Sequence, residues 1–357
     1  MKEIEIFFKN VFLKLLLLFN RPSRKRALPV IDKNTKVLFI RLNRIGDALV
    51  TTPLLKFIKD NCNCSIGVLA GRKNFFVFKN TSSNSPILLF HKGLSGFIKT
   101  VSIINKNKYD IIVDTHDDVS ATVSFLIALS KAPYKFGLKK DNETIFTHTV
   151  SKLNPSENHV INRIIELSRL FSLSPPEKAN IDFVLRKEAA DYAHRFIEEN
   201  KLKRFKVGIN ISAGSDARFW GTERFKNLAS FFEQYNVDVI ILTAVNDIEK
   251  ANDIAINKYP LFFNENFEKF CSLIPELDFL FTPDTSIVHI ASAFNVPMFG
   301  IYVKYNTEDL IWYPAASEYE TVITTEPNFD NLEFEQVFPK LKTFFEKIYY
   351  EKTNSRL

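Results

Sequence analysis

Runs of consecutive apolar residues recur along the chain, each followed by a polar turn and a segment of helical period. Val37-Leu38-Phe39-Ile40, Ser65 to Ala70, Ile87 to Phe90 and Tyr109 to Asp114 have this form in the first half. Phe205 to Ile211, Val237 to Thr243, Asp278 to Thr282 and Asn295 to Tyr302 have it in the second. Such runs predict parallel strands buried on both faces. Helical periods are predicted over 96–105, 120–129, 158–173, 187–200, 222–232, 287–294 and 332–347. Strand, loop and helix in alternation predict an α/β chain with two doubly wound domains. Ser174-Pro175-Pro176-Glu177 is the clearest linker signal, because consecutive prolines stop helices. The expected division is an arm over 1–35, a first domain over 36–175 and a second over 176–357.

Charge changes the picture only at the start of the chain. Of 47 Lys and Arg and 41 Asp and Glu, residues 1–36 hold nine basic and three acidic, which is the entire net charge of +6. The remainder is neutral overall, whereas a nucleic-acid enzyme usually carries its basic footprint on the folded body. Ile4 to Phe19 is strongly apolar but interrupted by Lys9 and Lys14, and Arg21 to Arg26 follows it. About 20 uninterrupted apolar residues span a bilayer, and a signal peptide places its charge before the apolar run. The arm therefore reads as an interfacial helix with a basic trailer on an anionic inner leaflet. Docking on the protein's own body and a single span are the alternatives. The three cysteines, Cys62, Cys64 and Cys271, form neither a disulfide framework nor a zinc set, which fits a reducing cytosol. The 35 phenylalanines read as a product of genome composition.

Candidate chemistry sits on the turns after strands, where doubly wound folds bind ligands. Asp47 follows the first strand and Gly46; it is either a functional carboxylate or a helix cap. Asp114, His116, Asp117 and Asp118 follow another strand, as the shapers of an acceptor cleft, a helix cap or, less favoured, a metal site. His159 and Arg163 share a helix face at i, i+4. In the second half, Ser212 to Trp220 is a small-residue loop containing Gly214 and Arg218. Backbone N–H groups of such a loop approach phosphate, and a cation completes the charge match. Glu249 is a weak candidate for ribose hydroxyls. Asp284, Thr285 and Ser286 begin a helix, with His289 one turn inside, and a helix start offers N–H groups to an anion.

Three stretches together resemble glycosyltransferase family 9, the bacterial heptosyltransferase family. They are RLNRIGDALVTTP (Arg41–Pro53), NISAGSDARFWGTERF (Asn210–Phe225) and TPDTSIVHIASAFNVPMFGIY (Thr282–Tyr302). The resemblance covers about residue 36 to residue 345. It implies a GT-B fold, two Rossmann-like domains facing a central cleft. It implies an inverting transfer, without metal or other cofactor, from an ADP-activated heptose to a lipopolysaccharide core or related lipid-linked acceptor. By the same resemblance Asp47 is the general base and Arg218 the diphosphate contact. Asp284, Thr285, Ser286 and His289 match the family's donor-binding loop and helix start. The residues' own reading adds Ser212 and Gly214 on the donor side and Asp117, His159 and Arg163 toward the acceptor. The implied location is the cytoplasmic face of the inner membrane, with no nucleic-acid partner.

Two stretches depart from the family's pattern. Ala244-Val245-Asn246 stands where glycines are common, and His116-Asp117-Asp118 replaces a Gln-Gly-Asn-like sequence. The competing functions are a non-catalytic glycan-binding or assembly subunit and an NAD-dependent oxidoreductase. The lone Gly46 turn lacks the G-x-G-x-x-G that the second would need.

Overall fold

The computed structural model describes residues 27–354 together with Val11. The apolar and basic run of the arm lies outside the described residues. Contacts divide the chain into two compact units, Met1–Phe183 and Val184–Leu357. The segment after Pro176 stays with the first unit: the Asp182 carboxylate accepts from the Ser82 N–H and hydroxyl, and its N–H donates to the Thr52 hydroxyl at 2.9 Å.

The first unit is a six-stranded sheet ordered β3-β2-β1-β4-β5-β6. Its strands are β1 (Lys36–Arg41), β2 (Ser65–Gly71), β3 (Ile87–Phe90), β4 (Ile111–Asp114), β5 (Tyr134–Leu138) and β6 (His148–Val150). Every pairing is parallel. Val37 to Ile40 have no exposed surface, as the apolar run requires, because helices cover both faces of a parallel sheet. The helix Thr52–Asn61 carries Pro53 in its first turn, where the missing N–H would be unpaired anyway, and turns Leu54, Leu55 and Ile58 inward.

The second unit repeats this wiring. Its strands are β7 (Phe205–Asn210), β8 (Val237–Leu242), β9 (Leu261–Phe262), β10 (Phe279–Pro283), β11 (Met298–Val303) and β12 (Tyr319–Thr324). They are ordered β12-β11-β10-β7-β8-β9, again all parallel. Numbered from its own first strand, each sheet reads 3-2-1-4-5-6, the Rossmann order. The core of this unit holds Phe205, Phe225, Phe232, Phe279, Phe281, Phe299 and Phe345 around Trp220. Much of the phenylalanine is thus core material, with edge-to-face pairs such as Phe232–Phe345 at 4.7 Å between ring centroids.

Two helical expectations change. The segment 158–173 is a six-residue α-helix, Val160–Ile165, continued as a 3-10 helix over Glu166–Phe171. The buried positions Leu167, Ser168, Leu170 and Phe171 follow the tighter turn. The last helix is longer than expected, Phe334–Asn354. Among the described residues no helix is long and apolar enough to cross a membrane.

Candidate active site

In a 3-2-1-4-5-6 sheet the strand order reverses between the first and fourth strands, and the loops leaving their carboxyl ends flank a crevice. In the first unit those are the loops after β1 and β4. The loop after β1 carries Asp47 in the first turn of the short helix Ile45–Leu49, whose cap position is Arg44. Asp47 therefore does not cap the helix. Its Oδ1 accepts from Arg41 Nη2 at 2.8 Å, and its side chain keeps 17% exposure. Arg41 ends β1 at 1% exposure. Its Nε donates to the Asp47 carbonyl at 3.1 Å and its Nη1 to the Thr115 carbonyl. Burial works against the guanidinium's charge, and Asp47 and Asp114 offset it. Asn74 adds a further tie: its amide donates to the Arg41 carbonyl and accepts from the Gly71 N–H. A Cβ at Gly71 would stand 2.8 Å from the Leu42 carbonyl, so the glycine lets β2 close on this loop.

The loop after β4 is a buried charge network. Asp114 Oδ1 takes a hydrogen bond from His116 Nδ1 at 2.7 Å, and Oδ2 takes one from Lys140 Nζ at 2.9 Å. His116 Nε2 accepts from the Leu42 N–H at 3.2 Å, which fixes the neutral tautomer protonated on Nδ1. Burial pushes the imidazole the same way, below its ordinary value. Burial alone would raise the Asp114 carboxyl, but His116 and Lys140 outweigh it and hold it well below the usual range. Asp117 pairs with Arg163 at 2.8 Å and Lys152 at 3.4 Å. Two of the three acceptor-side candidates are thus together. The third, His159, is the cap of the helix Val160–Ile165, its Nδ1 accepting from the Ile161 N–H at 3.3 Å. Asp114, His116 and Asp117 cap no helix: Ala121–Leu129 starts from Ser120. Among the described residues no group of three or more His, Cys, Asp or Glu could hold a metal ion.

The second unit presents the loops after β7 and β10. Gly214 sits at φ +71° with no atom near its missing Cβ, in the region glycine favours. Arg218 ends the turn Asp216–Arg218. Trp220 anchors the far end of this loop, stacked on Phe281 at 5.3 Å with Nε1 bonded to the Leu332 carbonyl. Arg218 Nη1 lies 3.0 Å from Asp284 Oδ2, so the two switch-point loops meet in an ion pair. Burial raises the Asp284 carboxyl above its ordinary value, against the pull of Arg218. Thr285 caps the helix Ser286–Ala293, its hydroxyl accepting from the Ile287 N–H at 3.0 Å. Ser286 is its first residue, and His289 is buried at 3% exposure beside the Trp312 ring.

Ser212 and Glu249 both lie at the loop after β8. The Ser212 hydroxyl donates to Asp247 Oδ2 at 2.7 Å and accepts from the Ala244 N–H at 2.9 Å, tying the loop after β7 to that after β8. Asp247 is also bonded by Lys250 at 3.2 Å. Glu249 is exposed in the first turn of the helix Ile248–Ala255. Arg41, Asn74, Lys140, Lys152 and Lys250 were missed in the sequence. Their partners lie on other loops, and only the lone basic residue at the end of the first strand was a signal.

The family model of glycosyltransferase family 9 (heptosyltransferase) matches residues 98–342. The chain belongs to glycosyltransferase family 9. This glycosyltransferase is 18% identical over 289 residues to the lipopolysaccharide core heptosyltransferase OpsX of Haemophilus influenzae, covering 78% of this chain and 82% of that protein. In fold it is similar to a family 9 glycosyl transferase from Veillonella parvula (TM-score 0.77, 17% identity, 91% of this chain and 100% of that one). It is likewise similar to the ADP-heptose lps heptosyltransferase II of E. coli (TM-score 0.70, 15% identity, 89% and 100%). The two Rossmann units are accordingly those of a GT-B enzyme.

Proposed function

We propose that the enzyme transfers a heptose, with inversion and without a metal ion, from ADP-heptose to a lipopolysaccharide core or related lipid-linked glycan. The observation that carries this reading is the division of chemistry between the two switch points. One holds an accessible carboxylate and the other holds a cation beside a capped helix start. The relatives named for ADP-heptose and for the lipopolysaccharide core support the donor and acceptor.

In this reading the first unit receives the acceptor and the second the nucleotide-sugar. Arg41 holds Asp47 Oδ1, and Oδ2 takes the proton from the acceptor hydroxyl. The freed oxygen pair attacks the anomeric carbon from the face opposite the diphosphate. The bond from that carbon to the phosphate oxygen breaks, and its electrons leave with ADP. The growing negative charge falls to Arg218 and to the N–H groups at the start of Ser286–Ala293, so dipole and cation do what a metal ion does elsewhere. In the free chain Asp284 occupies Arg218. The diphosphate takes over that guanidinium as the donor binds, and Asp284 gives up the pair. The same proposal places the enzyme peripherally on the cytoplasmic face of the inner membrane, its arm on the leaflet, supported by the apolar run and the nine cations of residues 1–36.

The test is transfer from ADP-heptose by the wild type and by Asp47→Asn, with ADP binding followed by thermal shift. The expected result is a loss of about 10²- to 10⁴-fold in turnover with the ADP shift retained, and no effect of a chelator on the wild type. Equal turnover by Asp47→Asn sinks the base assignment, and a wild type that binds ADP but transfers nothing favours a glycan-binding subunit.

A further inference from the structure

The β2–β3 edge of the first sheet combines two features that the transfer does not use. From Asn61 to Tyr109 the chain contains seven Lys and Arg and no Asp or Glu. This stretch builds β2, β3 and the helix Leu94–Asn107. Within a neutral folded body, one stretch of chain thus contributes cations and no acid. On the same edge apolar side chains face solvent: Leu94 is 78% exposed, Ile98 59% and Leu89 39%.

Leu94 and Ile98 are one turn apart and share a helix face. The buried residues of that helix are Gly96, Thr100 and Ile104, so the Leu94–Ile98 stripe is not part of its packing. Lys92 and Lys99, both exposed, bracket the stripe. Gly71 pairs in register with Phe90. That brings Arg72, after β2, beside the turn after β3, where its Nη2 lies 3.2 Å from His91 Nδ1. The first acid beyond the stretch, Asp110, is engaged with the Lys36 N–H at 2.8 Å.

Aliphatic tips bracketed by Lys92, Lys99 and Arg72 match an anionic bilayer surface: the tips enter the headgroup region and the cations meet lipid phosphate. A second copy fits poorly, because a two-fold contact would press a cationic edge against itself. Position adds to the argument. The strands are parallel, so the turn before Leu94 leaves the sheet at the same end as the loop of Asp47. β3 lies two strands from β1, on the order of 10 Å at the usual spacing.

We propose that this edge docks the first unit on an anionic leaflet, independently of the N-terminal arm, and turns the carboxyl end of its sheet toward acceptors carried by that leaflet. The proposal rests on the lipid-linked reading of the acceptor for its purpose but not for its test. The full chain is mixed with vesicles of phosphatidylethanolamine and phosphatidylglycerol, or of phosphatidylcholine alone, and amide hydrogen exchange is followed.

Slowed exchange over 87–99 on the anionic vesicles only, weakening as salt is added, is expected. Leu94→Ser combined with Ile98→Ser, both on exposed positions, should weaken partition about tenfold and leave transfer to a water-soluble acceptor fragment unchanged. Exchange that slows only in the arm overturns the proposal, as does unaltered partition of the double variant or a loss of self-association in that variant without vesicles. A wild type that docks but transfers no sugar would refute the function above while leaving the docking edge standing.

Discussion

A guanidinium at 1% exposure is held at Arg41 by acceptors on two loops, the Asp47 carboxylate and carbonyl and the Thr115 carbonyl. Three donors in a rigid plane make this possible, and a lysine, with one donor centre on a flexible stem, cannot reproduce it. Arg41 touches no substrate in this reading; it positions the base. Arg41→Lys should therefore lower kcat by roughly tenfold or more, as loss of such a supporting contact typically does, with KM for ADP-heptose little changed. A raised KM with kcat unchanged, or full kcat restored only with full melting temperature, would assign Arg41 a merely structural role. His116 works in a similar way. With Nδ1–H on Asp114 and Nε2 on the Leu42 N–H, it links the ends of β1 and β4 without carrying charge.

At the scale of elements, four loops matter, and they are the ones leaving the first and fourth strands of each sheet. Gly214 shows how tightly one is specified. Its φ of +71° strains any other residue by roughly 1 kcal/mol or more, although the space beside it is open. Gly214→Val should weaken ADP binding several-fold and lower the melting temperature by only about 2–4 °C; unchanged ADP affinity would remove this loop from the donor site.

The strands of these four loops were legible as unbroken apolar runs, and so were Asp47, Arg218 and Asp284 at their ends. Strands β5, β6, β9 and β12 were not, being short, interrupted by residues such as Lys135 and His148, or half-exposed as in β12. The 3-10 continuation of the helix at Val160 was hidden because its apolar positions fit either period over so short a span. Ion pairs across loops, such as Lys140 with Asp114, join residues far apart in the chain and leave no local pattern. Arg163 and Asp117 were both named, but their pairing was found only through the fold.

For the molecule as a whole, stability carries a marker at Lys135. Its side chain is buried at 5% exposure, and Nζ reaches the Ala128 carbonyl at 3.3 Å. Burial lowers the proton affinity to about 8, against 10.5 for the free side chain. Between these values the unfolded chain holds the extra proton, so this group makes stability climb as pH rises from about 8 toward 10.5, and its penalty is fully present below 8. Lys135→Met should raise the melting temperature at pH 7 by a few degrees, the gain shrinking toward pH 10.5. A gain that does not depend on pH would mean the charge was never the cost.

The parallel wiring of both sheets also divides each unit into a working end and an idle one. Turns at the amino ends, such as Asn63 before β2 and Lys203 before β7, are exposed and lie a full strand away from the chemistry. They are attachment points for a pair of dyes. Energy transfer between them would give a ruler from one unit to the other, read while the enzyme turns over and without touching a residue that binds or reacts.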